Sequence, residues 1–111
     1  MIASPEGPVV VTPTGGPALA TGGTGDVLTG VIAALLASGL EAFDAAALGA
    51  WWHGAAADGL PVSENGFGLL ASELADALPA TARAIHARAQ GDENDQEGGP
   101  GGILDLRFPG P

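Results

Sequence analysis

The sequence predicts an α/β fold in which two short strands precede about four helices and an acidic tail. Three observations predict it. β-branched residues flank a turn near the N-terminus, apolar segments with helical spacing fill the middle, and glycine and proline concentrate at the end. With 111 residues, the chain is long enough for one domain at most.

The N-terminal residues predict a β-hairpin. Residues 2–4 and 9–12 are strand candidates, because the second segment reads Val-Val-Val-Thr. The Pro-Glu-Gly-Pro sequence between them is a turn signal, and Pro8 suits the first position of a strand.

Several helices follow the hairpin. The first is apolar on nearly every face, as in a helix buried within a larger protein, and Gly39 is a suitable stop for it. Pro79 is expected to end the third helix and to begin the fourth. The first predicted helix spans residues 26–38 and the second spans residues 42–58. The third runs from about Leu69 or Ser72 to Pro79, and the fourth from residue 80 to about residue 90.

The predicted elements divide the chain into residues 1–90 and residues 91–111. Two strands and several apolar helices do not close a layered architecture, so we expect residues 1–90 to be part of a larger α/β domain. Residues 91–111 combine five acids with six glycines and three prolines, which predicts a disordered tail.

Composition excludes several classes of function. A net charge of −10, with no lysine, argues against nucleic-acid partners and anionic membranes. The absence of cysteine excludes thiolate zinc sites, and no other residues have metal-ligand spacing, so no metal site is predicted. Residues 27–40 are the longest apolar stretch and are too short to span a bilayer. No signal peptide is visible at residues 1–8, so we expect a cytoplasmic protein.

The strongest chemical signal is the glycine-rich loop Gly22, Gly23, Thr24 and Gly25, which leads into the first helix. Glycines allow a ligand to approach the backbone, and the N–H groups of a helix N-terminus favour anions such as phosphate. The Thr24 hydroxyl is a further candidate donor. No lysine follows, so the loop is not a Walker motif.

Asp26 follows the loop and has two interpretations. As a general base, its carboxylate would take the proton of a hydroxyl that attacks a terminal phosphate. As a structural residue, it would cap the helix. Spacing alone leaves both open.

The remaining candidates favour structural roles. His53 lies among small residues and is interpreted as a satisfied core histidine, with a substrate contact as the alternative. Asp58 follows five residues later and need not share its face. Trp51 and Trp52 are interpreted as packing residues, and His86 is assigned no role.

The order of these motifs resembles a known family. Residues 13–15, Pro-Thr-Gly, and residues 20–30, Ala-Thr-Gly-Gly-Thr-Gly-Asp-Val-Leu-Thr-Gly, resemble the signature of the NAD(P)H-hydrate dehydratases, a ribokinase-like family. Residues 53–58 resemble its His-Gly-x-Ala-Gly-Asp segment, with Ala57 where glycine is usual. The resemblance continues in the helices at residues 33–40 and 70–74 and covers about residues 2–87.

The resemblance implies the C-terminal portion of a three-layer α/β/α sandwich. It implies a lyase that repairs hydrated NADH and NADPH: ADP, or ATP, phosphorylates the hydroxyl, and phosphate is then eliminated. Asp26 would be catalytic and contact the hydrated substrate. The adenosine nucleotide would be bound by Gly22, Gly23, Thr24 and Gly25, and Mg²⁺ would be bound through the nucleotide. The complete enzyme would be a homo-oligomer.

Two alternatives stay open. A fragment of a ribokinase-type small-molecule kinase would use the same loop and base without the elimination. A catalytically inactive remnant would keep the fold but not the reaction. The resemblance covers only the C-terminal part of a dehydratase domain, so we expect the chain to be inactive alone.

Overall fold

The computed structural model describes residues 1–63 and 65–95. A β-hairpin begins the chain: β1 (Ile2–Ala3) pairs antiparallel with β2 (Val9–Val10), with Ile2 opposite Val10 and Ala3 opposite Val9. The predicted hairpin is confirmed, although both strands are shorter than the predicted segments 2–4 and 9–12. A short 3-10 helix, Pro17–Ala20, then leads to the glycine-rich loop.

Helices α1 (Thr24–Ala37) and α2 (Ala42–Asp58) follow the loop and pack together. The bounds of α2 are those predicted from sequence. Gly39 ends the α1 region with a φ of +100°, the left-handed conformation that a helix stop requires and that glycine adopts without strain.

The third helix corrects a prediction. α3 spans Ala71–Asp95 without the expected break at Pro79, so the predicted third and fourth helices are one. Proline removes a single hydrogen bond, that to the carbonyl of Ala75. Ala75 and Pro79 are both exposed, so water can satisfy that carbonyl while the helix continues.

The end of α3 also lies beyond the expected one, because the helix passes Gln90 and reaches Asp95. Residues 91–95 of the predicted tail are therefore helical. The rest of that tail, residues 96–111, lies outside the described residues, so its predicted disorder stays a prediction.

The buried core lies where α2, α3 and the 3-10 helix meet. Leu74 of α3 is its largest fully buried side chain. The other buried residues of the core are three alanines and one leucine: Ala18, Ala56, Ala57 and Leu69. A core of this size leaves much apolar surface uncovered.

The apolar faces of α1 are only partly covered within this chain. Val31 is buried against α2, but Ala33, Ala34 and Leu36 are exposed, because no described element covers that side of the helix. The hairpin is similarly open, with Val9 60% and Val11 72% exposed. Within the described ranges, no helix is long and apolar enough to cross a membrane.

The close approach of α1 and α2 depends on Gly49. A Cβ atom at this buried position would lie 2.7 Å from Cγ1 of Ile32, well inside van der Waals contact. At Gly30 of α1, by contrast, a Cβ would meet no heavy atom within 4 Å.

These two glycines give opposite predictions for the same substitution. Gly49→Ala should lower the free energy of unfolding by about 1–2 kcal/mol, because overpacking outweighs the gain in helix propensity. Gly30→Ala should raise it by about 0.5–1 kcal/mol. Urea unfolding followed by circular dichroism measures both. A neutral Gly49→Ala would show that the two helices are not in close contact.

Candidate functional site

The glycine-rich loop takes a left-handed turn at one position. Gly23 has a φ of +92° and is the residue that precedes α1, with no side-chain cap. A Cβ at Gly23 would lie 3.0 Å from Cβ of Ala71, so the loop rests against the first residue of α3. At Gly22 and Gly25, a Cβ would meet nothing within 4 Å, which leaves open space above both residues.

The start of α1 presents free N–H donors beside that open space. Thr24 N–H donates to the carbonyl of Thr21 at 3.3 Å, and Val27 N–H donates to the carbonyl of Gly23 at 3.2 Å. Between them, the N–H groups of Gly25 and Asp26 have no acceptor in the part of the chain that the structure describes. Such N–H groups at a helix N-terminus attract anions.

Thr24 has a different role from the one expected. Its side chain is 3% exposed, and its hydroxyl lies 2.7 Å from the carbonyl of Leu19 and 2.9 Å from that of Thr21. The hydroxyl therefore ties the loop to the preceding 3-10 helix and points away from the open space. A phosphate contact from this side chain does not fit the geometry.

Asp26 lies in the first turn of α1 and is exposed. The cap position belongs to Gly23, so the interpretation of Asp26 as the helix cap is wrong. Among the described residues, none donates a hydrogen bond to its carboxylate. The Asp26 carboxylate thus stands free on the same turn as the unpaired N–H of Gly25, where the helix dipole favours negative charge.

His53 is a satisfied core histidine, as predicted. It is 5% exposed, and its Nε2 lies 2.9 Å from the carbonyl oxygen of Thr24. A carbonyl only accepts hydrogen bonds, so Nε2 carries the proton and donates. His53 therefore contacts the first residue of α1 directly, which spacing alone did not reveal.

The same segment of α2 holds the loop that precedes the 3-10 helix. Gly15 N–H donates to Oδ2 of Asp58 at 2.9 Å, and the Thr14 hydroxyl donates to the carbonyl of Trp51 at 2.7 Å. A Cβ at Gly54 would lie 2.7 Å from the carbonyl oxygen of Thr14, so only glycine allows this contact. Asp58 thus binds the loop before the 3-10 helix, His53 binds the start of α1, and the two side chains do not form a pair.

The other aromatic and imidazole candidates lie outside the loop. Trp52 is half-buried and donates from Nε1 to the carbonyl of Leu78 at 3.0 Å, which confirms its packing role between α2 and α3. His86 is exposed and lies 3.1 Å from Nε2 of Gln90. No group of three or more potential metal ligands occurs among residues 1–63 and 65–95.

Comparison with known proteins assigns the family. The profile described as NAD(P)H-hydrate dehydratase matches residues 1–80, a range that contains both loops and α2. The chain belongs to this family.

Individual relatives agree with the family profile. The chain is 44% identical over 90 residues to a protein of Moorella thermoacetica named bifunctional NAD(P)H-hydrate repair enzyme Nnr, covering 81% of this chain and 17% of that protein. It is 50% identical over 78 residues to the ADP-dependent (S)-NAD(P)H-hydrate dehydratase of Neisseria meningitidis serogroup B, covering 69% and 26%. The chain therefore spans about a quarter or less of the length of these family members.

Two threonines of α1 test the structural role of the Thr24 hydroxyl. Thr24→Val keeps the shape but leaves the carbonyls of Leu19 and Thr21 without that donor, and should lower the free energy of unfolding by about 1–3 kcal/mol. Thr29→Val removes an exposed bond to the carbonyl of Gly25 and should change it by less than about 0.5 kcal/mol. Chemical denaturation compares the pair, and equal effects would contradict the inward role of Thr24.

Proposed function

We propose that this chain contributes the phosphate-binding loop and the catalytic carboxylate of an ADP-dependent (S)-NAD(P)H-hydrate dehydratase. One observation carries the proposal. On residues that match the family profile, the unpaired N–H of Gly25 and the free carboxylate of Asp26 share one helical turn beside open space. This arrangement combines an anion site with a base.

The phosphates of the nucleotide would lie over the open side of the loop. Gly22 and Gly25 leave room for close approach, and Gly23 supplies the left-handed turn that directs the backbone N–H groups there. Thr24 supports the loop from beneath through its buried hydroxyl rather than by touching the ligand. The four residues together are the proposed nucleotide-binding loop.

Asp26 would act on the hydrated substrate. Its carboxylate takes the proton of the substrate hydroxyl as the hydroxyl oxygen bonds to the terminal phosphorus, and the bond from phosphorus to the leaving nucleotide oxygen breaks. The loop N–H groups stabilise the charge on the transferring phosphoryl group. The carbon–oxygen bond to the phosphate then breaks, and phosphate leaves with that electron pair. The adjacent ring carbon loses a proton, which the departing phosphate accepts, and the electron pair of that C–H bond forms the double bond of NADH or NADPH, so the overall reaction is that of a lyase.

ADP is the proposed phosphoryl donor, because the Neisseria relative is named as ADP-dependent, and ATP is the alternative. The part of the chain that the structure describes offers no cluster of ligands for a metal of its own. Mg²⁺ would therefore be held by the phosphates of the nucleotide, and Asp26 is the acid that directly follows the loop in sequence.

The remaining parts of the active site would come from outside this chain. The relatives named as repair enzymes are several times longer, and Val9, Val11 and Leu36 leave apolar surface on the hairpin and α1. We propose that these surfaces belong to the interior of a complete ribokinase-like α/β/α sandwich, homo-oligomeric and cytoplasmic. The chain alone is then inactive.

A small-molecule kinase would use the same loop and carboxylate, since both reactions begin with phosphoryl transfer to a hydroxyl. The family profile and the names of the relatives favour the dehydratase. The two are distinguished by the product, because a kinase releases a stable phosphate ester and a dehydratase releases NADH.

Asp26→Asn tests the catalytic assignment in a complete domain, made by joining this chain to the N-terminal part of the Neisseria dehydratase. Asparagine keeps the size of the side chain but not its basicity, and a positioned general base contributes about 10²–10⁴-fold to rate. We expect turnover of hydrated NADH to fall by about that factor, with ADP affinity largely unchanged. Absorbance of the NADH formed measures turnover, and calorimetry measures affinity.

Gly25→Val is the matched variant for the loop. Its side chain would enter the open space above the loop, where the nucleotide phosphate would lie, while the helix tolerates valine. ADP affinity should therefore fall first. If Asp26→Asn kept turnover within a few-fold of the parent, the carboxylate would not be the base. If Gly25→Val bound ADP normally, the phosphate would lie elsewhere.

A further inference from the structure

We infer that His53 is a positioning residue for phosphate binding, which acts through the peptide unit that joins Thr24 to Gly25. The inference rests on the proposed function, because it concerns the loop assigned there to phosphate. Its starting point is the bond from His53 Nε2 to the carbonyl oxygen of Thr24, 2.9 Å long and buried.

The peptide unit has one bonded end and one free end. The carbonyl of Thr24 and the N–H of Gly25 belong to the same planar group. His53 donates to the carbonyl, while the N–H has no acceptor among the described residues. Together with the helical bond that the N–H of Leu28 donates to the same carbonyl, the His53 donor fixes the direction in which the Gly25 N–H points.

The remaining atoms of Thr24 are held as well. Its hydroxyl bonds to the carbonyls of Leu19 and Thr21, and its N–H donates to the carbonyl of Thr21. His53 completes this set from the side of α2. The plane of the Thr24–Gly25 peptide cannot rotate without breaking a buried hydrogen bond, so the Gly25 donor is oriented before any ligand arrives.

The bond also changes the strength of the donor. A hydrogen bond accepted by a carbonyl polarises its peptide group and makes the N–H at the other end a better donor, by about 10–30% per bond. His53 thereby raises the affinity of Gly25 for an anion without touching it. A histidine that merely filled space would have no such effect.

The test uses the full chain, labelled with ¹⁵N, and titrates it with inorganic phosphate while the Gly25 amide resonance is followed. His53→Gln keeps an N–H donor at a similar reach, and His53→Met keeps the volume without a donor. Trp52→Phe is the control on the same helix, because it removes the bond to the Leu78 carbonyl at 3.0 Å and leaves the loop alone.

We expect His53→Met to weaken phosphate binding about 3- to 10-fold, as the loss of one hydrogen bond would. His53→Gln should bind within about twofold of the parent, and Trp52→Phe should bind like the parent although it is less stable. His53→Met with parental affinity would overturn the inference while leaving the proposed loop intact. No response of Gly25 to phosphate in the parent chain would instead contradict the proposed function.

A second measurement uses the parent chain alone and does not depend on any variant folding. The ¹⁵N shifts of the neutral His53 ring report which nitrogen carries the proton, and the inference requires Nε2. A neutral ring protonated at Nδ1 would overturn it. A third measurement compares His53→Met with the parent before phosphate is added: the Gly25 amide proton should resonate further upfield in the variant, because its peptide is less polarised.

Discussion

The contact between the last turns of α2 and the two preceding loops organises the described part of the molecule. His53 holds the start of α1 through the Thr24 carbonyl, and Asp58 holds Gly15 through its N–H. Gly54 lets Thr14 approach between them. The same segment supplies Ala56 and Ala57 to the core, so the residues that bury this helix also position the two loops.

Sequence reasoning predicted the elements whose signals are local. The hairpin follows from its β-branched residues and turn, and α2 from a long run bounded by Gly39 and Gly59. The predicted helix break at Pro79 was wrong. The low helix propensity of proline reflects the lost hydrogen bond, but it does not take into account that water can replace this bond at an exposed position. The apolar faces of α1 do not specify what covers them, so sequence alone could not show which of these faces the chain leaves exposed.

The candidate site was predicted by residue type but not by orientation. The loop and Asp26 stand out in the sequence, and the resemblance that they carry agrees with the family found by comparison. No local pattern shows that the Thr24 hydroxyl points inward, since that depends on carbonyls of the 3-10 helix. The bond from His53 is a tertiary contact over 29 residues, and only the small neighbours of His53 hinted at a close approach.

The contact between Gly23 and Ala71 makes the loop dependent on the third helix. The start of that helix is fixed by Glu73, whose carboxylate accepts the N–H of Leu70 at 2.9 Å. The methyl group of Ala71 therefore acts as a fixed stop behind the loop, 3.0 Å from where a side chain at Gly23 would begin. The depth of the proposed anion-binding surface is then set by one methyl group of a helix that contributes no atom to it.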